Sequence, residues 1–410
     1  MVPLWRNREF ALLQAGQLLS SAGSASSGIA YPLLVLALTG SPAKAGVVSF
    51  ARLLPHVLFG LPAGVAADRW NRRRLMIAAD GVRLVALGAL AAALLAGSEA
   101  FWPIVVVAFV EGTGFAFFGA AQAGAVRAVV PRPQLPAAVG AVRAKDASVT
   151  IAGPPLGGAL FEIGRSVPFL VDAVSYALST ASLLAMRTPF QEAREVETAP
   201  LRSRLAEGFH FLWKHPFLRI SSFLYGIGNF SLPGILLVVV VAGRRQGLTG
   251  GEIGLLFAVF GCCLLVGALL SPLFRRTFSV RVIVLIEMWL WVGCGLFLIW
   301  PNVYVLIAGI LPQAIAMPVT DSVVVGYRIA ITPDRLLGRV ESVRSTISRL
   351  LQPLGPLVAG ALLSVTSERA TIAVFAALGL VLALWATLSP SLRAAPSLAE
   401  LDSPAPLTLP

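Results

Sequence analysis

Long apolar stretches alternate with short polar turns along almost the whole chain. They lie near 11–37, 44–67, 75–97, 101–129, 136–163, 167–187, 217–243, 252–274, 281–300, 303–331, 337–365 and 370–389. A helix of about 20 apolar residues crosses a bilayer core, and these stretches reach or exceed that length. Hydrophobic residues run on continuously within them, with Gly and Pro in their interiors. Membrane barrels instead use short strands that alternate apolar with polar residues. The pattern therefore predicts an all-α membrane protein with twelve transmembrane helices.

Composition points the same way. Of 410 residues, 57% are hydrophobic and 13% charged, against about 25% charged in soluble domains. Twelve spans and their turns use up the length, so the expected surroundings are the lipid bilayer and no separate soluble domain is expected. A net charge of +12 would suggest nucleic acid for a soluble protein. Here the arginines gather in alternate loops, as membrane topology and attraction to anionic lipid heads require, and no nucleic-acid partner is expected. Cys262, Cys263 and Cys294 all fall in apolar stretches and read as small buried residues. The segment from Met1 to Phe10 carries charges and leads straight into the first span, so no cleavable signal is expected.

The turn from Gly64 to Arg74, Gly-Val-Ala-Ala-Asp-Arg-Trp-Asn-Arg-Arg-Arg, fixes the topology. Cytoplasmic loops retain Lys and Arg, so this turn lies inside. With an even number of spans, both termini are then cytoplasmic. The inside loops also hold Arg6, Arg8, Arg132, Arg187, Arg194, Arg202, Arg204, Lys214, Arg275, Arg276, Arg281, Arg335 and Arg339; the outside loops hold Lys44, Arg165, Arg244, Arg245 and Arg369. The long inside linker, 188–216, carries Glu192, Glu195 and Glu197. Within it Leu201, Leu205, Phe209, Leu212 and Trp213 recur at helical spacing, which predicts an amphipathic helix on the inner leaflet. The expected organisation is a six-helix bundle over 1–187, this linker, a second six-helix bundle over 217–389, and a Pro/Ala/Ser-rich disordered cytoplasmic tail over 390–410.

The halves resemble each other. One ungapped shift lays Val130-Pro131 on Thr332-Pro333, Leu135 on Leu337, Gly153-Pro154 on Gly355-Pro356, and Gly158-Ala159-Leu160 on Gly360-Ala361-Leu362. Two helical repeats around a central site form the architecture of a rocking transporter.

Two motifs carry further physics. Gly64 permits a close helix approach. Asp68 can pair with Arg72 or sit against a helix N-terminus, and Thr332-Pro333-Asp334 makes a helix start with Thr as cap and Pro in the first turn. Asp68 meeting that start would latch the halves together; alternatively, the arginines of the turn only fix topology. In the fifth span, Gly153-Pro154-Pro155-Leu156-Gly157-Gly158 kinks a helix and bares a smooth packing surface.

Gly64-x-x-x-Asp68-Arg69-x-x-Arg72-Arg73 resembles the loop 2–3 signature of the major facilitator superfamily, and Gly153-Pro154-x-x-Gly157-Gly158 resembles its antiporter motif. Asn7-Arg8-Glu9-Phe10, Gly16-Gln17, Thr39-Gly40-Ser41, Asp80 with Arg83, Asp172-Ala-Val-Ser175-Tyr176, His215-Pro216-Phe217-Leu218-Arg219 and Pro333-Asp334-Arg335-Leu336-Leu337-Gly338-Arg339-Val340 are similar to the branch with siderophore exporters and macrolide-efflux proteins. The resemblance spans nearly the whole chain. It implies the major facilitator fold of two six-helix repeats, a cytoplasmic gate at Gly64, Asp68, Arg69, Arg72 and Arg73, and an antiporter element at Gly153, Pro154, Gly157 and Gly158. There are two departures. Many proton-coupled drug antiporters carry an arginine in the fourth span, but Val105 to Phe118 holds only Glu111 as a charge. The second-half copy of the loop has Arg275 and Arg276 where an Asp-Arg would stand.

Charges at membrane depth are costly and mark candidate sites. Arg52, Glu111, Arg143, Lys145, Asp146, Glu287, Asp321, Arg344 and Arg349 qualify. Glu111, Arg52, Asp146, Asp321 and Arg349 are the candidates for proton coupling or substrate binding. Glu111 has no other charge along its helix, and a buried carboxylate suits a proton carrier. Arg143 with Asp146 and Asp80 with Arg83 lie one turn apart and also read as structural pairs; Asp172 reads as structural. Phe115, Phe117 and Phe118 cluster on the fourth span, with Tyr31, Phe230, Phe257, Trp289 and Trp291 on others; they suit either lipophilic substrate binding or lipid-facing packing.

The expected function is export of lipophilic small molecules (drug, macrolide or siderophore-like) across the cytoplasmic membrane by a monomer, in exchange for protons. The alternative is an importer or facilitator, since fold does not set direction. His56, His210 and His215 join no nucleophile pattern, and there is no phosphate-binding loop or metal-ligand cluster. Neither enzymatic chemistry nor a metal or cofactor is expected.

Overall fold

Capping residues in the turns set the helix boundaries. Asn7 starts α1 (Arg8–Thr39) by accepting from the Phe10 N–H at 3.1 Å, and Gly40, with φ of 63°, ends it. Ser41 caps α2 (Pro42–Arg69), whose first residue is proline. Asn71 caps α3 (Arg72–Leu95) by accepting from the Arg74 N–H at 3.1 Å. This computed structural model describes residues 4–188, 190 and 201–393. Its further helices are α4 (Phe101–Val129), α5 (Leu135–Ile163), α6 (Val167–Ala185), α7 (Leu201–Lys214), α8 (Pro216–Arg245), α9 (Gly250–Thr277), α10 (Val280–Leu290), α11 (Leu296–Ile299), α12 (Val303–Ile331), α13 (Asp334–Arg349), α14 (Leu354–Val365), α15 (Glu368–Leu388) and α16 (Pro390–Arg393). The acidic part of the linker and the tail from residue 394 lie outside the described residues.

Eleven helical segments are long and apolar enough to cross a membrane, counting Val280–Ile299 and Asp334–Val365 as one each. The twelfth expected span, α5, has 29 residues. Arg143, Lys145 and Asp146 in its first half set it apart from the others by composition.

Three local expectations are corrected. The span near 281–300 is not one α-helix: it tightens into a 3₁₀ turn at Trp291–Gly295. There Gly293 lies against the Gly309 backbone so closely that a Cβ would clash with its carbonyl oxygen. The span near 337–365 is broken by a turn over residues 350–353, where Pro353 has no N–H to continue the ladder. Thr332 does not cap α13. The capping position is Pro333, with no side-chain bond, and the buried Thr332 hydroxyl has no hydrogen-bond partner.

The chain divides into two compact units. The first comprises residues 1–196, 240–258 and 356–364; the second 197–239, 259–355 and 365–410. In the first, α2 packs on α4, α1 on α5 and α6, and α3 on α4 and α6. Phe10, Leu13, Met76, Phe118, Leu183 and Met186 fill one end of this bundle. In the second, α10 packs on α12 and α15. The amphipathic helix expected in the linker is α7, and it docks on α13. A Cβ on Gly208 would meet the Arg339 carbonyl oxygen at 2.6 Å, and Glu207 pairs with Arg339. On its other face Phe209 and Trp213 stack at 5.3 Å and stay exposed.

Candidate functional site

The first unit buries a connected set of charges. Arg52 of α2 grips Glu111 of α4 with both forks of its guanidinium: Nε donates to Oε2 at 2.6 Å and an Nη to Oε1 at 3.0 Å. The same Nη donates to the Ser24 carbonyl at 2.9 Å. Arg52 also lies 5.8 Å from the centre of the Tyr31 ring. Glu111 is 1% exposed. A bidentate pair of this kind is the arrangement in which a buried carboxylate can keep its charge. Spacing along α4 alone leaves Glu111 without a charged neighbour; the fold supplies one from α2.

Beside it, Arg83 and Asp80 of α3 form a buried ion pair, one turn apart as the spacing suggests. The Arg83 guanidinium lies 4.2 Å from the Tyr176 ring centre and 4.9 Å from that of Phe118. The stretch Asp172-Ala-Val-Ser175-Tyr176 becomes a polar seam between α6 and α1. Ser27 donates to Asp172 at 2.6 Å, and the Tyr176 and Ser24 hydroxyls are 2.8 Å apart.

These groups border a chamber of about 260 Å³ within the first unit. Gln17, Ser20, Ser21 and Ser24 of α1 line it, with Arg83 of α3, Phe115, Phe118, Gly119 and Gln122 of α4, and Lys145 and Asp146 of α5. The Gln17 and Gln122 amides are hydrogen-bonded to each other. Lys145 pairs with Asp146 at 3.1 Å, so the expected partner of Asp146, Arg143, is displaced by its neighbour. Phe115 and Phe118 face the chamber, whereas Phe117 packs with Phe59 at 6.1 Å between ring centres. The wall thus offers hydrogen-bonding amides and hydroxyls, both signs of charge, and two aromatic faces. A search for charges in apolar spans overlooks Gln17 and Gln122; uncharged amides in such spans are the signal that finds them.

Of the remaining candidates, Asp321 and Arg349 belong to the second unit and are exposed.

The Gly64–Arg74 turn is more than a charge cluster. Arg72 pairs with Asp68 at 3.7 Å, donates to the Ala67 carbonyl at 3.2 Å, and reaches the Phe190 carbonyl at 3.4 Å. A Cβ on Gly124 of α4 would clash with its guanidinium. Arg73 donates to the carbonyls of Leu183 and Leu184 at 2.8 Å each, satisfying the end of α6. Arg69 is exposed. The close approach expected at Gly64 is absent, since a Cβ there would meet nothing within 4 Å; it occurs at Gly124. Asn7 and Glu9 of the first family-like stretch do similar work. Asn7 donates to the Val129 carbonyl at 2.8 Å, and Glu9 accepts from the Arg187 and Thr188 N–H groups at 3.0 and 3.1 Å.

The Gly153–Gly158 stretch is the packing surface its glycines predict. A Cβ on Gly153 would clash with Ala25, and one on Gly157 with the Ser26 backbone, both on α1. One on Gly158 would clash with the backbone of Gly250, and Pro154 lies against Gly254.

Comparisons with known proteins identify the family and the fold. The family model of the Major Facilitator Superfamily matches residues 15–249 and 220–409. The chain is 28% identical to the multidrug efflux pump Tap of Mycolicibacterium fortuitum over 401 residues, covering 94% of this chain and 95% of that one. It is 23% identical to macrolide efflux protein A of Streptococcus pyogenes over 363 residues, with 85% and 87% covered. Its fold superposes on the crystal structure of the nucleoside transporter NupG with a TM-score of 0.74 at 12% identity, covering 92% of this chain and 98% of that one. The chain is therefore a multi-pass membrane protein of the Major Facilitator Superfamily, with that family's all-α fold of two six-helix repeats.

Proposed function

We propose that the chain is a secondary active exporter of lipophilic small molecules, working by alternating access in exchange for protons at the cytoplasmic membrane. Two full-length relatives named for multidrug and macrolide efflux support the direction. The observation on which the reading rests is the amide- and aromatic-lined chamber between α1, α3, α4 and α5. Aromatic walls favour many apolar shapes, and a few fixed polar groups orient them. At about 260 Å³ the chamber lies just below the range of drug pockets, roughly 300–1,000 Å³. We read it as the part that holds a polar substituent, such as the amine or sugar of a larger lipophilic molecule. The basic turn at Arg69–Arg74 supports a cytoplasmic position for both termini, and the monomer is the proposed working unit.

Inverted membrane vesicles test this. Vesicles containing the protein are energised, uptake of ethidium and of erythromycin is followed, and the pH gradient is then collapsed with nigericin. Protein-dependent uptake that stops with the gradient is the expected result. Protein-dependent equilibration indifferent to nigericin would replace the exporter with a facilitator.

A further inference from the structure

The second unit contains a buried carboxylate in a different position from Glu111. Glu287 of α10 is 3% exposed. Its Oε1 lies 3.5 Å from the Gln313 amide nitrogen of α12, and its Oε2 has no hydrogen-bond partner. The Gln313 carbonyl oxygen is also buried without a partner. Among the described residues, no Lys, Arg or His reaches ion-pair distance of Glu287.

The neighbouring elements do not supply the missing charge. α12 brings Thr320, whose hydroxyl is a hydrogen-bond partner of the carboxyl, and the acidic Asp321, which has its own electrostatic partners in Arg328 and in Arg344 of α13. α8 brings Tyr225, whose buried hydroxyl is itself unpartnered. α15 carries no charged residue after Arg369. An ionised Glu287 would thus be a buried anion with no cation at ion-pair distance, since Arg344 acts on Asp321 and Tyr225 and Asp321 adds a second acid nearby. An isolated ionised carboxylate in such a place costs so much that the group takes a proton instead. A proton on Glu287 also supplies the donor that the orphaned acceptors lack.

We propose that Glu287 is the residue that binds the transported proton. This rests on the proton-exchange reading above. In the packed state Glu287 is a carboxylic acid beside Gln313. When α10 and α12 part and water reaches the site, the O–H bond breaks, the proton passes to water, and the carboxylate left behind takes one proton from the other side later in the cycle. Glu287 lies one turn before the 3₁₀ segment Trp291–Gly295, and Gln313 directly follows Pro312 inside α12. Both are joints at which a helix can bend.

The test uses the full chain in proteoliposomes, with ethidium as probe, comparing wild type with Glu287→Gln. The amide keeps the size of a protonated carboxyl and cannot release a proton. Wild type is expected to accumulate the probe against its gradient in a nigericin-sensitive way. E287Q is expected to lose that accumulation yet keep counterflow, the energy-independent exchange of labelled for unlabelled probe. Gln313→Leu, which leaves the acid in place, is expected to shift the pH midpoint of accumulation. Accumulation by E287Q at the wild-type level overturns the assignment while leaving proton coupling intact. Loss of counterflow in a folded E287Q overturns it in favour of a role in probe binding. Wild-type transport indifferent to nigericin overturns the coupling itself, and the assignment with it.

Discussion

Two buried glutamates, one in each unit, meet the same physical problem in opposite ways. Glu111 is held by both forks of Arg52, and Arg52 is further fixed by the Ser24 carbonyl. Glu287 has one amide at 3.5 Å and an unpartnered oxygen. The cost of moving a charge out of water is offset only by a well-placed counter-charge and satisfied hydrogen bonds. Glu111 has both, from Arg52 and the contacts that fix it beside the chamber. Glu287 has no counter-charge and one unpartnered oxygen, which favours the protonated form proposed above. A carboxylate in an apolar span is therefore not by that fact a proton carrier; its nearest cation decides.

The contrast can be broken most forcefully at Glu111. Arg52→Gln removes the partner of the buried Glu111 and should lower stability by about 3–5 kcal/mol; Glu111→Gln leaves the 24%-exposed Arg52 and should cost less. Thermal melting in detergent reads this as a large drop in midpoint, and the double variant should recover most of it. Equal losses that simply add would mean the two side chains are not coupled. A smaller effect is expected at the basic turn. Arg73→Ala removes two charge-assisted hydrogen bonds to the end of α6, worth about 1.5–3 kcal/mol each in favourable cases and less at a partly exposed site. Arg69→Ala, at an exposed position, should stay within about 0.5 kcal/mol; a loss matching that of Arg73 would mean that general basicity, not the two carbonyl contacts, stabilises this end. The smallest effect on melting is expected at Glu287. E287Q replaces one neutral group with another and should change stability by less than about 1 kcal/mol, while abolishing coupled accumulation.

Much of the frame was legible in the sequence because bilayer thickness constrains it. The long helices, the amphipathic α7 and the packing surface at Gly153–Gly158 each follow from local periodicity or residue size. What escaped depends on which helices meet. Arg52 and Glu111 lie 59 residues apart, and nothing in either helix names the other. The glycine that admits Arg72 is Gly124, not the Gly64 beside it in sequence. Thr332 has the composition of a cap, but its hydroxyl points into a buried site without a partner. The breaks at Trp291–Gly295 and over 350–353 interrupt runs whose hydropathy gives no sign of them. Glu287 stands out as a charge in an apolar run, but its distinguishing feature is the lack of a cation around it, and that exists only in the folded chain.

The most direct test of the central claim is the infrared spectrum of the purified protein at neutral pH, recorded as a difference between wild type and E287Q. The account predicts that the wild-type minus E287Q spectrum contains the carbonyl stretch of a protonated carboxylic acid. A carboxylate signature at Glu287, with no acid band in that difference, would contradict it.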